Sequence, residues 1–295
     1  EFPLLKLLRK SGFALQKRSE ILGKLSENKP VLAVAGTHGK TTTSTLLAHL
    51  LQQGGVPVEA FLGGIALGEG SNVLMAGQDS EQPWTVAEAD EYDRSFLTLH
   101  PTCAAITSVD ADHLDIYGTH EQMLKAFVQF STQVEQGGLL WHSDVVLPLQ
   151  KATETGMDLL PEIYGELAPK STLSDHGWAA GYAEVGPHNA GGGAKARFKL
   201  HLRDQAPMEV LWRMPGPHNA ANATAAAYLA CRAGMEPEAI PAALAAFPGV
   251  ARRFEIKYRS GGKAIIDDYA HHPTEVEGAI AAARQTFPGQ RITGV

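Results

Sequence analysis

The chain is poor in cysteine, in basic clusters and in long apolar runs, and each shortage removes a class of protein. Only Cys103 and Cys231 occur, so a disulfide framework is excluded. Each lies in an apolar stretch, and both read as reduced core thiols of a cytoplasmic protein. No run of about 18 apolar residues is present, which leaves no readable membrane span. Acidic residues outnumber basic ones by 32 to 25, giving a formal net charge of −7. No lysine or arginine cluster is long enough to track a phosphate backbone, so nucleic acid is not an expected partner. Residues 1–27 lack a signal peptide's order, because Lys and Arg interrupt the leucines. What remains is globular material, 44% hydrophobic and 19% charged over 295 residues, enough for about two domains. Position 1 is Glu, and Arg291 to Val295 reads as a strand just beginning; a piece of a longer chain is expected.

From Pro30 onward, short apolar runs alternate with helical patterns, which predicts an α/β fold around a mostly parallel sheet. Val31 to Ala35 is a buried-type strand, followed by a helix from Thr41 to Gln53 that carries Leu46, Leu47, Leu50 and Leu51. Trp84 to Ala87 and Cys103 to Val109 are further strands, and a helix starting at Thr119 is expected to run to Gly137-Gly138. Ala196 to Leu202 and Met208 to Met214 suggest an antiparallel edge, with Gly191 to Lys195 as a flexible hairpin. Ala220 to Ala233 and Pro237 to Ala246 read as helices. After Pro248-Gly249 a new βαβ start is expected, with strands near Phe254 to Tyr258 and Lys263 to Ile266 and a helix from Pro273. Residues 1–29 are expected to form one helix and a linker.

Chemistry concentrates at strand ends. Gly36-Thr37-His38-Gly39-Lys40-Thr41-Thr42 lies between the first strand and its helix. Glycines there let backbone N–H groups close on phosphate oxygens, Lys40 reaches terminal phosphates, and the Thr41 hydroxyl can hold Mg²⁺. The loop departs from the usual pattern, because Val34 stands where a first glycine is expected. Glu88-Ala89-Asp90-Glu91 and Asp110-Ala111-Asp112-His113-Leu114-Asp115 follow two strands, at the carboxyl edge where ligands of open α/β sheets bind. Glu88 and His113 are the favoured metal residues, although Mg²⁺ prefers oxygen to imidazole.

These strings, with His218-Asn219-Ala220-Ala221-Asn222, Arg253-Phe254 and Asp267-Asp268-Tyr269-Ala270-His271-His272-Pro273, resemble the Mur ligases of peptidoglycan synthesis. The resemblance implies a tail of an N-terminal UDP-sugar domain at 1–29, a central ATP-binding domain at 30–248 and the start of a Rossmann-like C-terminal domain at 249–295. It implies ATP and Mg²⁺, with Lys40 and Thr41 serving phosphates and metal, Glu88 and His113 the metals, and His218, Asn219 and Asn222 the adenine. Arg253 matches an arginine facing the γ-phosphate, Asp267 lies near the ribose, and His271 and His272 face the sugar's carboxylate and the incoming amine. Gly-Pro-His-Asn-Ala occurs twice, and only the second copy opens a helix, so His188 is discounted. The motifs look most like the alanine-adding branch, which implies UDP-N-acetylmuramate and L-alanine as substrates. The alternatives are the recycling branch, which adds a tripeptide to the same sugar nucleotide, and a fragment that binds nucleotide without ligating.

Overall fold

The computed structural model describes residues 2–68, 70–77, 82–153, 157, 159–167, 179–185 and 196–295. Two short helices, α1 (Pro3–Lys10) and α2 (Arg18–Ser26), precede the first strand, where one helix was expected. Gly12 at φ +80° lies between them, and a backbone turning there cannot continue a helix.

The alternating part follows as β1 (Val31–Ala35), α3 (Lys40–Gln53), β2 (Val58–Phe61), β3 (Val73–Leu74), β4 (Trp84–Ala89), β5 (Cys103–Ile106), α4 (Leu114–Tyr117), α5 (His120–Thr132), β6 (Leu139–His142) and α6 (Val146–Ala152). Next come β7 (Glu162–Leu167), β8 (Ala179–Glu184), β9 (Ala196–Leu202), β10 (Met208–Trp212), α7 (Pro217–Arg232) and α8 (Ile240–Ala246). The C-terminal segment holds β11 (Glu255–Ser260), β12 (Lys263–Asp267) and α9 (Pro273–Thr286).

Strand β1 is buried along its whole length because it lies between β4 and β5, parallel to both. Its side chains alternate between two cores. Leu32 and Val34 face a cluster with Leu46, Leu47, Leu50 and Leu51 of α3 and the alanines of α7. Val31, Ala33 and Ala35 face a second cluster with Phe96 and with Met123, Phe127 and Phe130 of α5. The result is a sheet covered on both faces, as its unbroken apolar strands require. Among the described residues the sheet has the order β10-β9-β8-β7-β6-β5-β1-β4-β2-β3. Its pairs from β8 to β2 are parallel, with β9 and β10 antiparallel at one edge and β3 at the other. The expected antiparallel edge is therefore present, and a second one, small, was not anticipated.

Four boundaries depart from the sequence. Strand β4 runs on to Ala89, so Glu88 lies in the strand, and β5 stops at Ile106, with residues 107–109 lying beyond it. Helix α5 starts at the expected Thr119 cap but ends at Thr132. Gly138 is used instead in the turn into β6, where an added Cβ would lie 2.0 Å from the Thr102 carbonyl oxygen. The two strands expected after Gly249 are present and form a hairpin: only Gly261 and Gly262, at φ +56° and +72°, join β11 to β12, and so tight a link permits only antiparallel pairing. Residues 291–295 are not a strand. Cys103 is buried as expected, whereas Cys231 is half-buried. The 191–195 hairpin and His188 lie outside the described residues. Among the described residues no helix is long and apolar enough to cross a membrane.

Candidate active site

The carboxyl ends of β1, β4 and β5 lie side by side, and the loops leaving them form one polar face. The loop from β1 is fixed by β5's end. Thr37 N–H donates to the Ser108 carbonyl at 3.1 Å, His38 N–H donates to Ser108 Oγ at 2.6 Å, and Asp110 N–H donates to Thr37 Oγ1 at 3.0 Å. Thr107 Oγ1 donates to the carbonyls of Ala35 and His38. This close seating needs Gly36, at φ +133°, where a Cβ would fall 2.2 Å from Thr107 Oγ1. Gly39 takes φ +82° at the cap of α3, leaving the first N–H groups of that helix, including those of Thr41 and Thr42, without intrahelical acceptors. They form a ready anion site. Asn222 of α7 lies against the loop, since a Cβ on Gly39 would meet its Oδ1 at 2.8 Å.

Lys40 Nζ donates to the Gly36 carbonyl at 2.7 Å and to Glu91 Oε2 at 2.6 Å, with Asp90 Oδ1 at 3.9 Å. Glu91 is fully buried. Burial pushes its carboxyl above the ordinary glutamate range, and the charge and hydrogen bond of Lys40 pull it part of the way back. Glu88, inside β4, accepts from Thr41 Oγ1 at 3.1 Å and from the Gly63 N–H at 2.8 Å. Thr41 and Glu88 thus offer adjacent hard oxygens, a donor set that fits Mg²⁺. His113 stands at φ +51°, a conformation uncommon outside glycine, with its Nε2 3.7 Å from Glu91 Oε1. The Tyr92 ring meets it edge-on at 5.2 Å.

The C-terminal segment docks on the same face. His38 lies between two carboxylates, with Nε2 3.2 Å from Asp110 and Nδ1 3.2 Å from Glu275 of α9. Its ring packs against His272 at 4.6 Å, and ligating atoms of His38, Asp110 and His272 fall within 4.8 Å of one another. Glu275 also accepts from the backbone N–H groups of His271 and His272 and lies 3.8 Å from the Arg253 guanidinium. Burial alone would raise its carboxyl, but the His38 contact and these N–H groups outweigh that and hold it at about 2. Arg253 is flanked by Arg252 and Phe254 at φ +59° and +48°, so two unfavourable conformations aim the guanidinium at this junction.

The remaining expected residues make other contacts. His218 is exposed at the start of α7, near Gly278 of α9, whose Cβ would stand 3.4 Å from its ring. Asn219 is buried and donates to the Pro215 carbonyl at 2.7 Å. Asp267 ends β12 with Lys257 at 4.0 Å. His271 is exposed, its Nδ1 3.0 Å from the Tyr269 carbonyl. The sequence overlooked Glu275, although Glu three residues after a helix cap, behind Pro273, is the signature of a capping box. It also gave no weight to Glu91 over its neighbours, and nothing local marks Thr107 or Ser108.

The Mur ligase middle domain profile matches residues 34–230, and the Mur ligase glutamate ligase domain profile matches residues 252–295. The chain belongs to the Mur ligase family. It is 38% identical over 294 residues to the UDP-N-acetylmuramate–L-alanine ligase of Cytophaga hutchinsonii, covering 99% of this chain and 59% of that protein. It is 38% identical over 288 residues to the ligase of the same name from Christiangramia forsetii, covering 98% of this chain and 58% of the relative. The chain therefore spans about three-fifths of these Mur ligases. Among solved structures, the UDP-N-acetylmuramate-alanine ligase of Thermotoga maritima superposes with a TM-score of 0.73 at 26% identity, over 97% of this chain and 61% of that one. A murein peptide ligase of Psychrobacter arcticus shares the fold, with a TM-score of 0.72 at 23% identity over 98% and 62% of the two chains.

Proposed function

We propose that this chain carries the ATP-binding centre of a cytoplasmic ligase that joins L-alanine to the lactyl carboxylate of UDP-N-acetylmuramate. One observation carries the phosphoryl-transfer part: Lys40, the N-terminus of α3 and the Thr41–Glu88 oxygen pair converge on one edge of the sheet. The likeness to alanine ligases over almost the whole chain supports the substrates. The division into 1–29, 30–248 and 249–295 is likewise proposed, the last segment hinging near Val250, which bridges to both Ala66 and Arg253.

ATP binds with its phosphates on the loop, taking hydrogen bonds from the N–H groups of residues 39–42, while Asn222, Asn219, His218 and Asp267 serve the nucleoside side. Lys40 exchanges its contact with Glu91 for the terminal phosphates. The lactyl carboxylate oxygen then bonds to the γ-phosphorus as the bridging oxygen leaves with ADP, and the acyl phosphate that results is attacked by the amine of alanine, releasing phosphate. Lys40 and Arg253 offset charge on the transferred group, and fixed donors of this kind act without reorganising. Mg²⁺ at Thr41 and Glu88, with a second ion at His113, would neutralise phosphate charge when bound. His271 and His272 stand on the substrate side, where His271 is the more exposed of the two. No side chain is required as a nucleophile.

The test is ADP release by the full-length protein with UDP-N-acetylmuramate and Mg-ATP, comparing L-alanine, L-serine, glycine and the tripeptide. Strongest turnover with L-alanine is expected; turnover with the tripeptide alone would overturn the substrate and transfer the protein to the recycling branch.

A further inference from the structure

Glu91 has one carboxylate oxygen with a partner and one without. Oε2 holds Lys40, whereas Oε1 is buried and makes no hydrogen bond. A buried polar oxygen without a partner calls for an explanation, and an absent ion is one. His113 Nε2 lies 3.7 Å from it, too far for a hydrogen bond. On bonds of about 2.1 Å, ligands of one ion lie about 3.0 Å apart when adjacent and about 4.2 Å apart when opposite, so this pair has to close by about 0.7 Å to become adjacent ligands.

Both groups are held in place from outside the pair. The Glu91 carbonyl accepts from Tyr117 Oη at 2.6 Å and from the Arg94 N–H at 3.0 Å. His113 N–H donates to Asp112 Oδ1 at 2.7 Å, and its ring rests on Tyr92. The imidazole is about one-third exposed, at 31%, while Glu91 is fully buried, so an ion can enter from solvent past His113 and meet the carboxylate behind it. Charge balance points the same way. When Lys40 turns to phosphates, Glu91 loses its counter-charge inside the protein, and a buried unpaired carboxylate is strongly unfavourable. A cation between Oε1 and His113 restores that balance and supplies the oxygen donor that imidazole alone does not give Mg²⁺.

We propose that Glu91 Oε1 is a direct ligand of the divalent cation at the His113 position, so that one carboxylate serves the phosphate-loop lysine in the nucleotide-free state and the metal once nucleotide is bound. This rests on the function proposed above for His113. The test is Mn²⁺ titration of the full-length protein by electron paramagnetic resonance, with β,γ-imido ATP as nucleotide, alongside thermal unfolding of each variant. Wild type is expected to take up two Mn²⁺. Glu91→Gln and His113→Ala should each lose the ion at His113 and retain the ion at Glu88, and Glu91→Asp should weaken the His113 ion by about tenfold. Two retained ions in Glu91→Gln, with affinities within about threefold of wild type, would overturn the inference if His113→Ala loses one. Loss of both ions in Glu91→Gln would also overturn it, since Glu91 would then act through the loop as a whole. If His113→Ala keeps both, the assignment of His113 to a metal falls, and this inference falls with it.

Discussion

The phosphate-loop face and the C-terminal segment meet at His38, but they are held by different physics. The first is an outgrowth of the sheet: β1, β4 and β5 are locked by parallel pairing and by two large cores, and the loops inherit that rigidity. The second has a small buried cluster of Phe254, Ala282 and Ala283, with Phe287 also buried, and reaches the first through Glu275, His272 and Arg253. A site built on the sheet keeps its geometry without ligand. A segment attached by polar contacts around Val250 can move when a ligand competes for them.

That contrast can be broken most sharply at Lys40. Lys40→Ala should lower ligation by about 1,000-fold with the fold intact, because one charge is lost from a rigid frame; near-normal turnover would remove the loop from the chemistry. Stability should separate the regions next. Leu50→Ala deletes a fully buried side chain of α3 and is expected to cost about 2–5 kcal/mol, whereas Val276→Ala on α9, 40% exposed, should cost less than about 1 kcal/mol. Equal losses by denaturant titration would mean that the two regions unfold as one tightly packed unit.

A smaller effect is expected at the junction. Glu275→Ala removes the acceptor shared by His38, His271 and His272, and should raise amide hydrogen exchange across α9 by about tenfold while leaving β1 unchanged. Equal increases in both would contradict independent attachment. The smallest effect is a pH dependence. Glu275 titrates at about 2 rather than at the ordinary 4.5, so its stabilising contribution is fully present above about 4.5 and is lost as pH falls towards about 2. The melting-temperature difference between wild type and Glu275→Gln should stay constant from about pH 8 to about pH 5 and shrink below about pH 4.5. A difference that instead changes near neutrality would assign the contact to another group.

The sheet side of this comparison was far more legible in the sequence than the junction. Val31 to Ala35 and the leucines of α3 announce themselves because burial on both faces demands continuous apolar strands and a helix its regular stripe. Glycines beside Lys40 mark the loop, and acidic strings mark the strand ends. Strands β2 and β6 to β8 were missed: β2 and β6 have only 4 residues each, and β2 carries Glu59, buried but satisfied by Lys29 at 2.7 Å and Thr85 at 2.8 Å, a pairing that no local pattern reveals. The two C-terminal strands and the helix from Pro273 were legible, but their antiparallel pairing was not, because strand direction depends on the two-glycine turn and not on the strands' composition. The choice of Glu91 as Lys40's partner depends on which way a side chain points after β4 ends, and spacing alone does not fix that.

The most direct measurement follows the oxygen. With UDP-N-acetylmuramate labelled with ¹⁸O in its lactyl carboxylate, the full-length protein turning over Mg-ATP and L-alanine should release phosphate carrying one labelled oxygen, because the carboxylate oxygen that bonds to the γ-phosphorus leaves with it. Unlabelled phosphate would mean that the carboxylate never attacks the γ-phosphate, and that the Lys40 face does not perform the phosphoryl transfer assigned to it.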